Sequence, residues 1–380
     1  MSEVFESAVI LFNVTKSCLG AGIINFPYVF QKYGPALVFY MTLLSGVASV
    51  LGVFAYINLN RKYHKNNSIS TLSTLIISSY FKIFVDLVVI AKCIVVAACY
   101  MNSAQKIISK IPLNTGIKLI DSNQFLVGKL FSFFGSILLI PSILEPSLSG
   151  LKNFSYLGIG SIFLLIFISI VQTRGITAEP TGLSSDSNIL TEIGTFVFGF
   201  TCHQSILNIH NETKITDTRL KILIAIAFVL VGVLYFSFGY SNYKAFMNLP
   251  DITDVFLIWD KKFLTNLGSL LFATSLIISV PFQVHPAKAY LSDMFEFKKL
   301  GKSISAIGLL VLAFILSNLS CFEIKFVSQN ITKPMNTLIC FGFPLIYTLV
   351  NKDKKSLYDL ISSFYLGIFV FMCVRSFFVK

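Results

Sequence analysis

The segment TKSCLGAGIINFP, residues 15–27, places Gly20, Ala21 and Gly22 inside an otherwise apolar stretch. Glycines at this spacing favour unwinding of a helix, which hydrocarbon tolerates only where the backbone lines a cavity in the protein. Unwinding would expose the amides at the N-terminus of a half-helix, and these amides, with the positive end of the helix dipole, suit a carboxylate. Close packing of helices through small residues explains the same spacing equally well.

Lys16 lies one helical turn before these glycines, deep in the first apolar stretch. At the helical rise it is about 14 Å from the start of that stretch near Ser7, close to the middle of a bilayer core. A lysine at this depth costs about 2.5–3.5 kcal/mol on insertion scales and marks a functional position by default. The depth predicts that Lys16 faces the helix bundle, with snorkelling as the alternative. Thr15 and Lys16 are therefore candidates for handling a coupling ion or proton.

Two further apolar stretches carry polar groups at membrane depth. DLVVIAKCIVVAACY, residues 86–100, contains Lys92, a second candidate for the path of an ion or substrate. EIGTFVFGFTCHQSILNIHNET, residues 192–213, contains His203, which is a candidate for proton handling or a hydrogen-bonded packing residue. His203 and His210 are seven residues apart, but no further ligand accompanies them at suitable spacing, so no metal site is predicted.

Ser275 and Ser279 lie four residues apart in LGSLLFATSLIISVPFQVHPAKAY, residues 267–290, and share one helix face. Their hydroxyls are placed to reach a cation or the lysine ammonium. The alternative is hydrogen bonding to the carbonyl four residues earlier, which is common for serine in membrane helices.

The elements that must position these residues are apolar stretches long enough to cross a bilayer. The chain has 380 residues, of which 55% are hydrophobic and 13% charged, whereas soluble domains carry about 25% charged residues. The net charge of +12 falls largely in short loops such as RKYHK at 61–65 and KDKK at 352–355, which is a topology signal and not a nucleic-acid site. Seven dispersed cysteines without a CxxC pair predict no disulfide framework.

Eleven apolar stretches predict an all-α integral membrane protein with one polytopic domain over residues 1–380. They lie near residues 7–30, 35–59, 81–104, 125–144, 154–173, 189–208, 220–241, 263–289, 303–321, 334–350 and 357–378. An odd number of crossings puts the termini on opposite sides, and the two basic clusters favour a cytosolic N-terminus. We expect a monomer in the lipid bilayer.

Five segments resemble, in order, the first, sixth, seventh, eighth and tenth spans of the amino acid/auxin permease family. They are ILFNVTKSCLGAGIINFPYVFQKYG, FVFGFTCHQSILNIHNET, FGYSNYKAFMNLPDI, SVPFQVHPAKAYL and FGFPLIYTL. This family holds sodium-coupled neutral, proton-coupled and fungal vacuolar amino acid transporters. Together the segments extend over nearly the whole chain.

The resemblance implies eleven helices in a five-plus-five inverted repeat, the LeuT-like fold, with discontinuous first and sixth helices that meet at a central site. By the same resemblance, backbone amides at Gly20, Ala21 and Gly22 hold the substrate carboxylate, Phe198, Thr201 and Cys202 line the side-chain pocket, and Ser275 and Ser279 lie near the ion site.

One position departs from the sodium-coupled members, which resemble FNLSNAIxGSGIL in their first span. Lys16 stands where their second asparagine lies near sodium. An ammonium there can take the place of the cation, as a fixed or a titratable charge, and several proton-linked relatives also show a lysine near this point. The resemblance therefore implies proton coupling or facilitated transport, with sodium symport as the alternative.

The expected function is secondary transport of small or medium neutral L-amino acids by alternating access, without an organic cofactor. An amino acid sensor that signals through a partner is a second possibility, but such sensors add a long cytosolic tail, and about six residues precede the first stretch. A membrane-embedded enzyme needs convergent nucleophiles, metal ligands or paired carboxylates, and the sequence offers none. Both a plasma membrane and a vacuole- or lysosome-like membrane are compatible with the sequence.

Overall fold

The computed structural model describes residues 3–112, 123–145, 151–176, 189–249, 255–259, 263–319, 326–351 and 357–378, and all regular elements in these ranges are helices. Cys321, at the end of the predicted ninth span, lies outside them. Seven helical stretches are each long and apolar enough to cross a membrane. They are Ala21–Lys62, Ser79–Ile108, Lys152–Thr173, Asp217–Phe246, Phe263–Phe295, Lys299–Ser317 and Leu357–Arg375. The other predicted spans divide into shorter helices.

The first predicted span is interrupted. Helix α1 runs over Glu3–Cys18, a 3₁₀ turn covers Ala21–Asn25, and α2 follows over Phe26–Lys62. Gly34 has φ 76° and ψ 163°, a conformation that glycine adopts without strain, and Pro35 follows it. This kink in α2 lies at the boundary predicted between the first and second spans.

The next helices include the predicted third, fourth and fifth spans and one helix, Ile69–Ile76, that lies between the predicted second and third spans. They are α3 (Ile69–Ile76), α4 (Ser79–Ile108), α5 (Gln124–Leu138), α6 (Ile140–Leu144) and α7 (Lys152–Thr173). Ser78 begins α4 by accepting a 3.3 Å hydrogen bond from the amide of Phe81, a usual N-cap contact. The fourth predicted span divides between α5 and α6, where Pro141 stands in the first turn of α6.

The sixth predicted span is also interrupted. A 3₁₀ turn at Ile189–Glu192 leads into α8 (Ile193–Gly199), residues 200–202 are non-helical, and α9 covers His203–Glu212. The long helix α10 (Asp217–Phe246) and the short α11 (Val255–Ile258) follow.

In the last third of the chain, the described residues form six more helices and two π turns. They are α12 (Phe263–Ser279), α13 (Pro281–Phe295), α14 (Lys299–Ser317), a π turn (Val327–Ile331), α15 (Thr332–Thr337), a second π turn (Leu338–Gly342), α16 (Phe343–Val350) and α17 (Leu357–Arg375). Pro281 stands in the first turn of α13, where the missing N–H of a proline leaves no helical hydrogen bond unmade.

The interrupted segments lie inside the bundle. Helix α1 packs against α7 and α10, α2 packs along α10, and α4 contacts α12, α13 and α14. The outer faces of the helices instead carry large apolar side chains, including Phe39, Val229 and Phe364, which are 50%, 67% and 73% exposed. An apolar surface of this kind suits contact with hydrocarbon and not with water.

Candidate functional site

The two helix interruptions lie side by side and share one hydrogen-bond donor. The hydroxyl of Tyr235, on α10, lies 2.8 Å from the carbonyl oxygen of Cys18 and 3.2 Å from that of Gly199. These are carbonyls at the ends of α1 and α8, which helix geometry leaves without partners. The sequence analysis did not select Tyr235, although a tyrosine within an apolar stretch is a signal, because its hydroxyl needs a partner when buried.

Glycines allow the first interruption to approach its neighbours. A Cβ atom at Gly22 would lie 3.0 Å from Cδ1 of Phe198, so the first interruption contacts the last turn of α8. A Cβ atom at Gly20 would overlap the hydroxyl of Tyr100 on α4. Ala21 is fully buried between them. Both interpretations of the motif at residues 20–22 apply. The helix unwinds at these residues, and their small size also permits close packing of the neighbouring helices.

Thr201 and Cys202 lie in the second interruption, as their predicted role in a pocket requires. The hydroxyl of Thr201 donates to the carbonyl of Val197 at 2.6 Å and lies 3.4 Å from Sγ of Cys340. Cys202 is 2% exposed. The structure therefore brings the six predicted substrate residues to the two interruptions, and their role in binding a substrate stays a prediction.

The ammonium of Lys16 points into the bundle, which excludes snorkelling in this conformation. Its Nζ donates to the hydroxyl of Ser275 at 2.8 Å, to the Ser275 carbonyl at 3.1 Å and to the Leu19 carbonyl at 3.5 Å. Ser275 Oγ in turn donates to the carbonyl of Gly158 at 3.0 Å. No salt bridge joins Lys16 to a carboxylate within the described ranges.

Gly158, on α7, makes room for the Lys16 side chain. A Cβ atom at Gly158 would overlap Cε of Lys16 and lie 2.9 Å from its Nζ. This role of Gly158 was not predictable from the sequence, because the contact joins two segments far apart in the chain.

Ser279 and Thr15 do not contact the ammonium of Lys16. Ser279 Oγ donates to the Ser275 carbonyl at 2.8 Å, which is the local bond considered as an alternative for both serines. The Ser275 hydroxyl thus contacts the lysine ammonium and the Ser279 hydroxyl makes the local bond, and a role of both serines at an ion site stays a prediction. Thr15 is fully buried, and its hydroxyl has no hydrogen-bond partner among the described residues.

Lys92 and His203 occupy neighbouring positions in the core. Lys92 is 2% exposed and donates to Oε1 of Gln283, on α13, at 3.1 Å. Its ammonium lies within electrostatic range of the thiols of Cys18, Cys202 and Cys340, which places it near both interruptions.

The His203 ring is buried and hydrogen-bonded on one side. Its Nε2 lies 3.0 Å from the Ser49 carbonyl, so Nε2 carries the proton and donates it. Its Nδ1 has no partner among the residues that the structure describes. His210 lies in a separate cluster, with Nδ1 accepting from Asn60 at 2.9 Å and Nε2 3.0 Å from Asp217 Oδ1. The two histidines therefore share no site, and no group of three metal-ligating side chains occurs in the described part of the chain.

Polar contacts tie the ends of the two interrupted segments to their neighbours. Glu6, on α1, accepts from Thr213 Oγ1 at 2.7 Å and from the Lys214 amide at 2.8 Å. We call this contact the Glu6 tie. The Lys214 amide, followed by the Thr213 hydroxyl, holds the pKa of the Glu6 carboxyl below its usual value.

A second tie lies at the other end of these segments. Glu192 accepts from Gln329 Nε2 at 2.6 Å, and its other oxygen lies 3.7 Å from Nζ of Lys32 on α2. Gln329 also donates to Thr195 Oγ1 at 2.7 Å. We call this contact the Glu192 tie. Neither tie was predicted from the sequence. The charged residues Glu6 and Glu192, which flank the two interrupted stretches, could have indicated polar contacts there.

Residues 7–379 match the profile of a family described as "Transmembrane amino acid transporter protein". The chain belongs to this family. The resemblance to the amino acid/auxin permeases is thereby confirmed, and with it the expectation of a multi-pass membrane protein from a family of transporters and not of enzymes.

The chain is also similar, at low sequence identity, to individual proteins named as amino acid transporters. "Vacuolar amino acid transporter 6" of Saccharomyces cerevisiae is 25% identical over 305 residues, covering 76% of this chain and 66% of that protein. "Vacuolar amino acid transporter 5" of the same yeast is 24% identical over 303 residues, covering 73% and 64%. The chain thus spans just under two thirds of the length of these yeast relatives. "Putative sodium-coupled neutral amino acid transporter 11" of Mus musculus is 22% identical over 365 residues, covering 89% and 75%.

Proposed function

We propose that this chain transports amino acids across a membrane by alternating access, with the substrate bound where the two interrupted segments meet. The observation that carries this proposal is the Tyr235 hydroxyl, which joins the end of α1 to the end of α8. Two helix ends fixed side by side leave backbone amides and carbonyls at membrane depth, which is the arrangement that binds both ends of a zwitterion.

The substrate class is a small or medium neutral L-amino acid. The amides of residues 20–22 receive its carboxylate, and Phe198, Thr201 and Cys202 bound the space for its side chain. The Lys92 ammonium, which lies within electrostatic range of the Cys18 and Cys202 thiols, is engaged by the amide oxygen of Gln283. The Phe198 ring, the Thr201 hydroxyl and the Cys202 thiol favour a substrate with an uncharged side chain.

Transport is proton-coupled or facilitative, because Lys16 fills the place of a metal cation. Its ammonium is held by oxygen atoms of Ser275 and Leu19, the ligand type that a sodium ion would use. Sodium symport is the second candidate, since the mouse relative is named as a sodium-coupled transporter.

The whole-chain architecture extends this proposal. Eleven crossings in a five-plus-five inverted repeat, forming one domain over residues 1–380, agree with the paired interruptions in the first and sixth predicted spans. We propose a monomer with a cytosolic N-terminus. The vacuolar names of the yeast relatives favour a vacuole- or lysosome-like membrane over the plasma membrane.

The deciding experiment is uptake of radiolabelled amino acids by proteoliposomes that contain the purified protein, with protein-free liposomes as the control. We expect uptake of neutral amino acids that responds to an imposed pH gradient or follows the substrate gradient alone. Accumulation driven by sodium and insensitive to pH would contradict the coupling. Absence of uptake for every amino acid tested, by protein shown to be folded, would contradict the function itself.

A further inference from the structure

An apolar groove of about 620 Å³ opens between α2 and α10 on the outside of the bundle. We call it the lateral groove. Its walls include Leu43, Val47 and Val50 on α2 and Val229 and Val233 on α10. The lining side chains carry two hydroxyls, and that of Thr42 is satisfied by the Val38 carbonyl at 2.7 Å. A cavity of this size with so few polar groups suits a hydrocarbon ligand.

The floor of the lateral groove is part of the second interruption. Phe200 lies between α8 and α9, and Cβ atoms at Gly46 and Gly232 would lie 3.6 Å and 3.7 Å from its ring. Because neither glycine has a side chain, the ring is reached from the outer face. Phe200 stacks on Phe228, with centroids 5.9 Å apart, and meets the edge of Tyr235 at 6.2 Å. Tyr235 is the residue that joins the two interruptions, so an occupant of the groove touches the wall of the site.

The length of the groove suits one acyl chain. Its α10 lining runs from residue 225 to residue 237, an axial length of about 18 Å. This lining begins about one helical turn inside the predicted span that starts at residue 220, so the groove passes through the middle of a hydrocarbon core of about 30 Å. The rim residues Leu43, Val229 and Val233 are 53%, 67% and 54% exposed, so the groove opens toward the lipid phase. An acyl chain whose headgroup stays at the residue 220 end therefore reaches into it.

A cation stands at the end of the groove where a headgroup would lie. Lys221 is one helical turn before the first lining residue of α10, and its Nζ is 5.7 Å from the centre of the Phe54 ring on α2. It donates to the amide oxygen of Asn58, and no salt bridge joins it to a carboxylate among the described residues. The nearby Arg61 is paired with Asp217 at 3.7 Å. The Asp217 and Asp359 carboxylates act on Lys221 electrostatically, but its ammonium makes no salt bridge with a described carboxylate and can reach a phosphate.

We propose that the lateral groove binds one acyl chain of a phospholipid whose phosphate pairs with Lys221. A lipid in this position packs against Phe200 and restrains the second interruption from the membrane side. The groove does not depend on which amino acid is transported, so the proposal stands apart from the substrate assignment. A second copy of the chain is the competing occupant, but an apolar slot about 18 Å long that ends near a cation fits a lipid better than a helix surface.

The test is native mass spectrometry of the full-length protein in detergent, titrated with dioleoyl phosphatidylglycerol. Gly46→Leu fills the groove from its floor, and Val233→Phe fills it from the rim if the first variant does not fold. Gly308→Leu is the matched control, since a Cβ atom there meets nothing within 4 Å and residue 308 is exposed on α14. Lys221→Gln tests the headgroup contact without changing the groove.

We expect one tightly retained phosphatidylglycerol on the unchanged protein and on Gly308→Leu, and at least tenfold weaker retention on the groove-filled variant. Lys221→Gln should weaken retention about fivefold, the contribution of one lysine near a membrane surface. Equal retention by Gly46→Leu and Gly308→Leu would overturn the proposal. So would a dimer that the groove-filling substitution dissociates, because the occupant would then be a second copy of the chain.

Discussion

At the scale of single residues, Lys16 is the position on which the proposed coupling depends. We expect Lys16→Ala to abolish amino acid uptake while the protein still inserts and folds. Removing a buried ammonium that has no carboxylate partner also removes its desolvation cost, so the thermal midpoint should not fall sharply. Uptake in proteoliposomes and thermal unfolding of the purified variant measure the two effects. Full transport by this variant would reduce Lys16 to a packing residue.

Gly158 offers a second test at the same scale, with a control on the same helix. Gly158→Ala forces a methyl group against the Lys16 side chain, and overpacking of this kind costs about 1–3 kcal/mol. Gly160→Ala meets nothing within 4 Å and should be neutral or stabilise α7 by about 0.5–1 kcal/mol. Denaturant unfolding gives both values, and uptake should fall only for Gly158→Ala. Equal effects of the two substitutions would contradict the space-making role of Gly158.

At the scale of helices, the Tyr235 hydroxyl holds two interrupted segments together. Tyr235→Phe leaves the Cys18 and Gly199 carbonyls without their shared donor, which should cost about 1–3 kcal/mol of stability. Uptake should fall as well, since the two helix ends then lose their fixed spacing. Tyr240→Phe, at a 41% exposed position on the same helix, is the control and should leave uptake unchanged. An active, fully stable Tyr235→Phe protein would remove the main support for the proposed site.

The Glu6 tie predicts a pH dependence. Hydrogen bonds from Lys214 and Thr213 lower the pKa of Glu6 in the folded protein, so the tie stabilises the fold above the usual pKa of 4.5. That contribution is lost as the pH falls through the lowered folded value. The difference in thermal midpoint between the unchanged protein and Glu6→Gln should therefore be present at neutral pH and vanish in acid. A difference that is constant with pH would show that the carboxylate charge is not involved.

The sequence predicts those helix features that are energetically unfavourable within one stretch of chain, whatever its neighbours are. The glycines of residues 20–22 and the lysine before them are anomalous in hydrocarbon, so the interruption of the first segment and the burial of Lys16 were predictable. Tyr235 and Gly158 act through contacts with segments distant in sequence, and no local pattern encodes those pairings. For Ser279, contact with a cation or lysine and hydrogen bonding to the carbonyl four residues earlier differ only in side-chain rotation. Sequence spacing does not determine that rotation.

At the scale of the whole molecule, the site is buried, since Phe198, Thr201 and Cys202 are 6%, 4% and 2% exposed. The cysteines of the described part of the chain are all buried, which agrees with a closed state. A variant that retains Cys202 alone should react slowly with a water-soluble maleimide at rest. Addition of a transported amino acid should change this rate, because turnover opens one end at a time. A variant that retains Cys99 alone should show no such change, since Cys99 lies on the continuous helix α4.

The corner at Gly34 gives the two halves of the first crossing unequal freedom. On one side of the interruption, a short 3₁₀ segment separates α1 from α2, so the direction of α1 can change without a matching change in α2. On the other side, residues 26–33 pass into the remainder of α2 through a single glycine with no intervening loop, so that half must move a full-length helix with it. A tilt of α1 therefore breaks the Glu6 tie and leaves α2 in place, whereas a tilt of residues 26–33 displaces both parts of α2.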